Sequence, residues 1–310
     1  MYYVGIDLGG TNIKVGLVNE NREILLYKSI PTLVERGFDE ILKDMAELVD
    51  EIIKEAGLNL NDIKHIGIGM PGVVDNELGT VNDNSNIRVK NYPIRQRFQQ
   101  YIDKPVFLGN DANVAAWAEY ICGCGKNTKN FLMLTLGTGV GGGIVLNGKL
   151  FTGSHNIGAE IGHTTFIEGG NQCGCGKKGC VEAYCSAAAL IKMAQRDLDK
   201  FPDSVISKAE KINARLIIDA AKNNDKFGVR LFNEYASNLA KVCGSLINFL
   251  DPDVIALGGG VANAGDFLID KVNEEAGKYV LLSDLMNTKI LKAQMGNDAG
   301  IIGAALLGEL

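Results

Sequence analysis

Apolar residues in this chain recur in two patterns, short runs that end at glycine and longer segments with an apolar residue every three or four positions. The short runs are typical of strands and the longer segments of amphipathic helices. Strands are predicted at residues 2–6, 13–18, 22–30, 63–69, 105–109, 130–136, 144–146 and 254–257. Helices are predicted at residues 38–56, 114–121, 186–196, 213–223, 227–250, 263–276 and 298–310. The helix at 227–250 is expected to turn Leu231, Tyr235, Leu239, Val242, Leu246 and Phe249 inward. Together these elements predict an α/β fold.

A strand, a glycine turn and a second strand occur twice, with DLGGT at 7–11 and GTGVGGG at 137–143 as the turns. The first turn leads into a strand rather than a helix, and neither GxGxxG nor GxxxxGK[ST] is present there. Such a turn is either a plain hairpin or a place where bare backbone N–H groups bind phosphate, with Asp7 placed to hold Mg²⁺. The repetition predicts two similar α/β domains that face each other across a cleft.

Four soft metal ligands lie within one short stretch, GAEIGHTTFIEGGNQCGCGKKGCVE at 158–182. His163, Cys173, Cys175 and Cys180 form a complete tetrahedral set for zinc, which is typical of a structural site. The metal would fold a loop with few apolar residues and hold the flanking Glu160 and Glu182 in place. The alternatives are chance spacing, or one disulfide and a spare thiol.

Three other stretches carry polar or glycine-rich signals. The segment 78–91 is expected to be irregular, and its asparagines, Asn82, Asn84, Asn86 and Asn91, to serve mostly in turns. Asp111 follows a strand where a helix begins, so it is either a ligand-facing side chain or the helix N-cap. Gly258, Gly259 and Gly260 follow a buried strand, which suggests backbone close to a flat ligand such as adenosine.

Composition narrows the class of protein. The chain has 310 residues, enough for two domains, and 46% of them are hydrophobic. Its net charge is −6 and no Lys/Arg block stands out, which argues against nucleic-acid and membrane-surface partners. The absence of a signal-like N-terminus and the odd number of cysteines, 7, favour a reducing cytoplasm. Cys122, Cys124, Cys185 and Cys243 are expected to be free or buried thiols, and His65 and His155 to have no functional role.

The motifs DLGGT, GTGVGGG, LGNDAN and GAEIGH followed by CGCGKKGCVE resemble those of the ROK family of sugar kinases and repressors, within the actin-like and hexokinase-like ATPases. The resemblance covers nearly the whole chain. SNIRVKNYPI at 85–94 is similar to a segment of bacterial glucokinases in this family, although Val89 stands where an aromatic residue is usual.

This resemblance implies two ribonuclease H-like domains around a central cleft, with a zinc-stapled loop. The first would comprise residues 1–115 and 298–310, and the second, carrying the zinc site, residues 116–297. The implied activity is ATP-dependent phosphorylation of the 6-hydroxyl of a hexose. Glucose is expected first, with N-acetylmannosamine, N-acetylglucosamine or fructose as alternatives. A homodimer is expected by family likeness.

The resemblance also implies roles for individual residues. Asp111 would be the general base. The sugar would be bound by Gly72, Asn110, Asp111, Glu160, His163 and Glu182. ATP and Mg²⁺ would be held by Asp7, Gly9, Gly10, Thr11, Gly137, Thr138, Gly139, Gly258, Gly259 and Gly260.

Two other functions compete with a kinase. Repressors of the family carry a helix-turn-helix before the first strand, and here that strand begins at Tyr2, so we do not expect one. A sugar-binding protein without catalysis is the other, and the presence of Asp111 argues against it.

Overall fold

A computed structural model describes residues 1–84 and 87–310 and shows an α/β fold with three sheets. The strands are β1 (Tyr2–Leu8), β2 (Asn12–Asn19), β3 (Ile24–Pro31), β4 (Ile63–Met70), β5 (Val73–Asp75), β6 (Thr80–Asn84), β7 (Val89–Tyr92), β8 (Val106–Asn110), β9 (Phe131–Leu136), β10 (Val140–Leu146), β11 (Lys149–Phe151), β12 (Val254–Gly258) and β13 (Lys289–Lys292). The helices are α1 (Phe38–Glu55), α2 (Ile94–Phe98), α3 (Asp111–Cys122), α4 (Glu182–Cys185), α5 (Ala187–Asp197), α6 (Ala214–Lys222), α7 (Lys226–Leu250), α8 (Asp266–Ala276) and α9 (Ala299–Ala305).

Two five-stranded sheets share one plan. The first has the order β3-β2-β1-β4-β8 and the second the order β11-β10-β9-β12-β13. In the first sheet, β1 pairs antiparallel with β2 and parallel with β4. In the second sheet, β9 pairs antiparallel with β10 and parallel with β12. The repetition that the two glycine turns predicted is therefore confirmed at the level of strand order.

Each sheet has its own apolar core. Helix α1 presents a continuous apolar stripe that includes Ile41, Met45 and Ile52, all fully buried with the first sheet, and it is followed by Gly57 at φ 69°. Helices α5 to α8 pack around the second sheet, with Leu231, Leu239 and Tyr235 inside. An apolar face every three or four residues buries itself best against a sheet, which is why these segments fold as predicted.

Helices α3 and α9 connect the two sheets through contacts that need glycine. A Cβ on Gly5 of β1 would overlap the carbonyl oxygen of Ile301, and one on Gly67 of β4 that of Ala304, so α9 lies directly on the first sheet. A Cβ on Gly143 of β10 would overlap Ala116, so α3 lies directly on the second. The predicted packing of the C-terminal helix on the first sheet is confirmed.

Two local predictions were wrong. The segment 78–91 is not irregular, because β6 and β7 form a small antiparallel sheet with β5. Its predicted turn residue Asn86 lies outside the described residues, as does Ser85. Residues 141–143 are not part of a turn but lie in β10, where the missing side chains of Gly141 and Gly143 make room for α3 and that of Gly142 makes room for Ala159 and Ile161.

The prediction for the inward face of α7 was wrong at its end. Phe249 is 84% exposed, whereas Leu231, Tyr235, Leu239 and Val242 are buried. The last residues of a helix can extend beyond the sheet that the helix covers. The periodicity of apolar residues alone therefore does not decide whether a residue such as Phe249 is buried. Within the described residues, none of the helices is both long and apolar enough to cross a bilayer.

Replacing Gly5 by alanine should destabilise the protein by about 1–3 kcal/mol, because the new methyl group overlaps a backbone oxygen of α9 that cannot rotate away. The matched control is Gly277→Ala, where no atom lies within 4 Å of the added Cβ and φ is −56°. That control should be neutral or slightly stabilising. Urea unfolding would measure both, and equal midpoints for the two variants would contradict this account of the α9 contact.

Candidate active site

A cleft of about 600 Å³ opens where the N-terminus of α3 faces the turn after β9 and the loop before the cysteine stretch. It brings together these predicted site residues: Asn110, Asp111, Gly137, Thr138, Gly139, Glu160, His163, Glu182 and Gly259. It is also lined by residues for which the sequence predicted no individual site role: Ala112, Thr135, Val140, Gly141, Gly142 and Gly158. Sequence motifs thus identified most of the polar lining, whereas residues in the strand and at the helix start were missed.

The junction of β8 and α3 places two adjacent polar side chains differently. Asn110 is the N-cap, since its Oδ1 accepts hydrogen bonds from the N–H groups of Ala112 (3.0 Å) and Asn113 (3.2 Å). Asp111 is the first helical residue, and its Oδ1 accepts the N–H of Ala112 at 2.8 Å. The sequence left Asp111 as either the helix N-cap or a ligand-facing side chain. In the structure Asn110 is the cap, and Asp111 lines the cleft.

The environment of Asp111 disfavours its charged form. Loss of hydration between the cleft walls raises the pKa of its carboxyl group, and the negative charges of Asp7 and Glu160 raise it further, against the lowering effect of the Ala112 N–H. The side chain is still reached by solvent through the cleft mouth. A carboxylate that is accessible but poorly hydrated is suited to accept a proton.

Gly72 lies beside Asn110 on the same side of the cleft. The Asn110 Nδ2 donates to the Gly72 carbonyl at 3.1 Å, and Gly72 has φ 95°. A Cβ at this position would overlap the carbonyl oxygen of Asp83 in β6. Only glycine therefore lets the bend after β4 pass so close to the small sheet and to Asn110.

The first glycine turn is tightly hydrogen bonded, and its residues are not among the described residues that line the cleft. The Gly9 N–H donates to Asn12 O at 2.9 Å, and the Thr32 hydroxyl donates to Gly9 O at 2.7 Å. Asp7 lies in β1 rather than in the turn, and its Oδ2 is 3.2 Å from the Lys14 Nζ on β2. No role was predicted for Lys14 from the sequence, so this ion pair was missed.

The second glycine turn is linked to the acidic side of the cleft. The Val140 N–H donates to Glu182 Oε2 at 3.2 Å, and a Cβ on Gly139 would overlap the same oxygen. The other carboxylate oxygen, Oε1, accepts a hydrogen bond from the Cys173 thiol at 3.2 Å. Glu182 therefore joins the glycine turn to the cysteine stretch.

The predicted metal ligands lie together. The ligand atoms of His163, Cys173, Cys175 and Cys180 are all within 4.8 Å of one another. Cys173 Sγ is 3.8 Å from His163 Nδ1, and the Sγ atoms of Cys175 and Cys180 are 3.6 Å apart. Tetrahedral zinc with Zn–S bonds of about 2.3 Å implies Sγ–Sγ distances of about 3.8 Å, so the donor set fits zinc. The same spacing is too long for a disulfide.

The third glycine stretch touches two cavities. Gly259 lines the cleft, whereas Gly260 lines a neighbouring cavity of about 420 Å³, and Gly258 is buried at the end of β12 against Met133. The neighbouring cavity is also lined by Ala214, Arg215, Ile218, Asp219, Lys222, Asn263 and Ala264. The residues from α6 were missed, because in the sequence they only form a helical stripe.

The remaining polar and thiol predictions concern residues outside the cleft. His65 is buried and its Nε2 lies 2.7 Å from Ala305 O, while His155 is exposed. The expectation that neither has a functional role stays a prediction. Cys185 and Cys243 are buried thiols, and burial raises the pKa of Cys243 to about 12, so it stays protonated.

The chain is similar over nearly its whole length to known proteins. The ROK family model matches residues 3–309. A glucokinase of Thermotoga maritima is 34% identical over 97% of this chain and 95% of its own, and an N-acetylmannosamine kinase of Escherichia coli is 31% identical over 99% and 98%. The crystal structure of a ROK family glucokinase from Streptomyces griseus, in complex with glucose and AMPPNP, superposes with a TM-score of 0.83 at 31% identity over 99% of both chains. The chain belongs to the ROK family.

Proposed function

We propose that this protein is an ATP-dependent hexose 6-kinase whose acceptor is glucose. The observation that carries the proposal is the position of Asp111, an accessible and poorly hydrated carboxylate on the wall that faces Glu160, His163 and Glu182. The kinase names and the glucose complex among its relatives support the same assignment. N-Acetylmannosamine is the alternative acceptor, since a relative named for that sugar matches over a similar length.

Asp111 is proposed as the general base. Its carboxylate takes the proton from the sugar 6-hydroxyl while that oxygen forms a bond to the terminal phosphorus of ATP and ADP leaves. The raised pKa brings the carboxyl group closer to the acidity at which a proton is both accepted and released readily. The negative charge of Asp7, in β1 of the first sheet, contributes to the raised pKa of Asp111.

The remaining sugar hydroxyls are proposed to bind Asn110, Glu160, His163 and Glu182, with the Gly72 backbone beside them. Carboxylates accept and amides both donate and accept, so together they match a ring of hydroxyl groups. His163 Nδ1 faces Cys173, which leaves its Nε2 for the sugar. One ring can in this way serve the metal site and the substrate.

The phosphates are proposed to bind the backbone of Gly9, Gly10 and Thr11 on one side and of Gly137, Thr138 and Gly139 on the other. The cavity beside Gly260 would take the adenosine, with Ile218 and Asn263 as further contacts. The side chains that line the cleft in the described residues include no lysine or arginine. Mg²⁺, held by Asp7, would supply the positive charge that the phosphates need.

Zinc is proposed as a structural ion on His163, Cys173, Cys175 and Cys180, where it would keep Glu160 and Glu182 in place. We further propose that residues 1–115 with 298–310 and residues 116–297 form two domains, which close on the sugar to exclude water. A cytoplasmic homodimer is the proposed form of the protein.

A panel of hexoses with ATP and Mg²⁺, followed by ADP release, tests the activity directly. Glucose should give the highest kcat/KM, because a relative named glucokinase matches over nearly the full chain and a related structure was solved with glucose. N-Acetylmannosamine, N-acetylglucosamine and fructose complete the panel. Absence of turnover with every sugar would refute the kinase assignment. A clear preference for N-acetylmannosamine would make that sugar, and not glucose, the acceptor.

Asp111→Asn should lower kcat by about 10²–10⁴-fold, because the amide cannot take the hydroxyl proton. It should also raise Tm at pH 7. A carboxyl group with a raised folded pKa is harder to ionise when folded than when unfolded, so its charge destabilises the fold above the unfolded pKa of about 4. Below that pH both states are protonated, and the Tm difference should disappear.

The exposed Asp103 provides the control, since Asp103→Asn should change neither kcat nor Tm. Steady-state kinetics and thermal melts at pH 7 and pH 3.5 would measure both effects. Full turnover by Asp111→Asn would exclude the general-base role, and a lower Tm at pH 7 would show that the folded environment favours the charge.

Metal analysis should find about one zinc per chain, and chelation should lower Tm and activity together, because the loop between Glu160 and Glu182 depends on the ion. Cys175→Ser should have the same effect, whereas Cys122→Ser, which alters a thiol outside the cluster, should not. A protein that keeps its full Tm and activity after complete zinc removal would contradict the structural role.

A further inference from the structure

A third cavity, of about 790 Å³, adjoins the proposed active site and, among the described residues, shares only Asn110 with its lining. We call it the Trp117 cavity. It is bordered by the turn after β5, by α3 at Asn113 and Trp117, and by the segment from Thr152 to Asn156. Asn110 lines both this cavity and the catalytic cleft. A ligand here would therefore touch the same helix as Asp111, at its third and seventh residues.

Asn113 is the feature that points to a ligand. Asn113 borders the cavity and is only 7% exposed, and its Oδ1, which solvent does not reach, has no hydrogen-bond partner in the described part of the chain. A buried amide oxygen without a partner destabilises a folded protein, so an occupant that pairs with it after the carboxamide turns toward the cavity would be favoured. A half-turn of the carboxamide exchanges its oxygen and amino group, and a hydroxyl can pair with either.

The charges around the cavity disfavour an anion. In the described residues its lining includes the carboxylates of Asp75, Glu77 and Glu309 and one cationic side chain, Lys149, while Arg22 lies 3.4 Å from Glu309. A nucleotide or a sugar phosphate would be repelled by this excess of negative charge. The cavity is therefore unsuited to either the phosphate donor or the product of the proposed reaction.

The uncharged lining matches a sugar. Thr152 and Ser154 offer hydroxyl groups, while Trp117, Leu108 and Leu150 form an apolar wall. Sugars have hydroxyl groups around the rim and C–H groups on the ring faces, so they need both kinds of surface. Trp117 is held in place by its own Nε1, which donates to Leu306 O at 3.2 Å, and it packs on Tyr120.

We propose that the Trp117 cavity is a second binding site for an uncharged sugar, separate from the acceptor site. Asn113 is its main polar contact, and residues of the segment from Thr152 to Asn156 also line it. Because Asn110 borders both sites, each sugar should change the affinity of the other by the same factor. The proposal does not depend on kinase activity.

Equilibrium dialysis of labelled glucose without nucleotide tests the proposal. The wild-type protein should bind roughly two glucose molecules per chain and the Asn113→Leu variant roughly one. The affinity of the Trp117 cavity for glucose should fall about tenfold or more in the variant. Without sugar, Asn113→Leu should also raise Tm by about 2 °C, since it removes an unpartnered buried amide. A lower Tm would show that the amide serves the fold, and would overturn the proposal.

Two further variants separate the sites. Glu160→Gln should lose the acceptor sugar and keep the second one, and the fluorescence of Trp117, the single tryptophan of the chain, should still respond to glucose but not to glucose 6-phosphate. Ser154→Phe, which fills the cavity, should abolish that response and keep glucose phosphorylation. One sugar per chain in the unchanged protein and none in Glu160→Gln would overturn the second site and leave the kinase proposal intact.

Discussion

Helix α3 approaches strand β10 at a distance that only glycine permits, and the position of the candidate active site follows from this contact. A Cβ on Gly141 would come within 2.9 Å of Ala112, and Gly143 packs against Ala116. On its other side, α3 meets α9, where a Cβ on Gly303 would overlap the carbonyl oxygen of Val114. On the first sheet, Gly5 and Gly67 have no side chains that would overlap the backbone of α9, so α9 packs directly on the strands. A chain of backbone contacts therefore runs from one sheet to the other and leaves the N-terminus of α3, with Asp111, at the cleft.

Electrostatics set the second constraint on the site. Asp111, Glu160 and Glu182 line the cleft, and Asp7 is near enough to raise the pKa of Asp111. A cleft rich in carboxylates binds hydroxyl groups well and phosphates poorly, so the proposed reaction requires a cation. In the described structure Lys14 occupies the Asp7 carboxylate that we assign to Mg²⁺.

The sequence predicted the repeated strand–turn–strand plan and much of the polar lining, but it located several residues incorrectly. Residues 141–143 were assigned to a turn because glycines are typical of turns, whereas here they serve close packing. Phe249 was assigned to the core because it continues an apolar stripe, and it is 84% exposed. The residues of α6 beside Gly260 could not be assigned to a site, because nothing in a helical stripe shows which cavity it meets. The domain boundaries and the individual roles of the site residues stay predictions.

What the sequence determined by itself is local: the elements, the two glycine turns, and the set of zinc-type ligands, whose chemistry and spacing are already present in the order of residues. The tertiary structure decided which of these residues meet. It placed Asn110 as the cap and Asp111 on the wall, joined Glu182 to both Cys173 and Val140, and left Asn113 buried beside a second cavity. Contacts between residues far apart in the chain depend on how helices pack on sheets, and a linear pattern of apolar and polar positions does not contain that information.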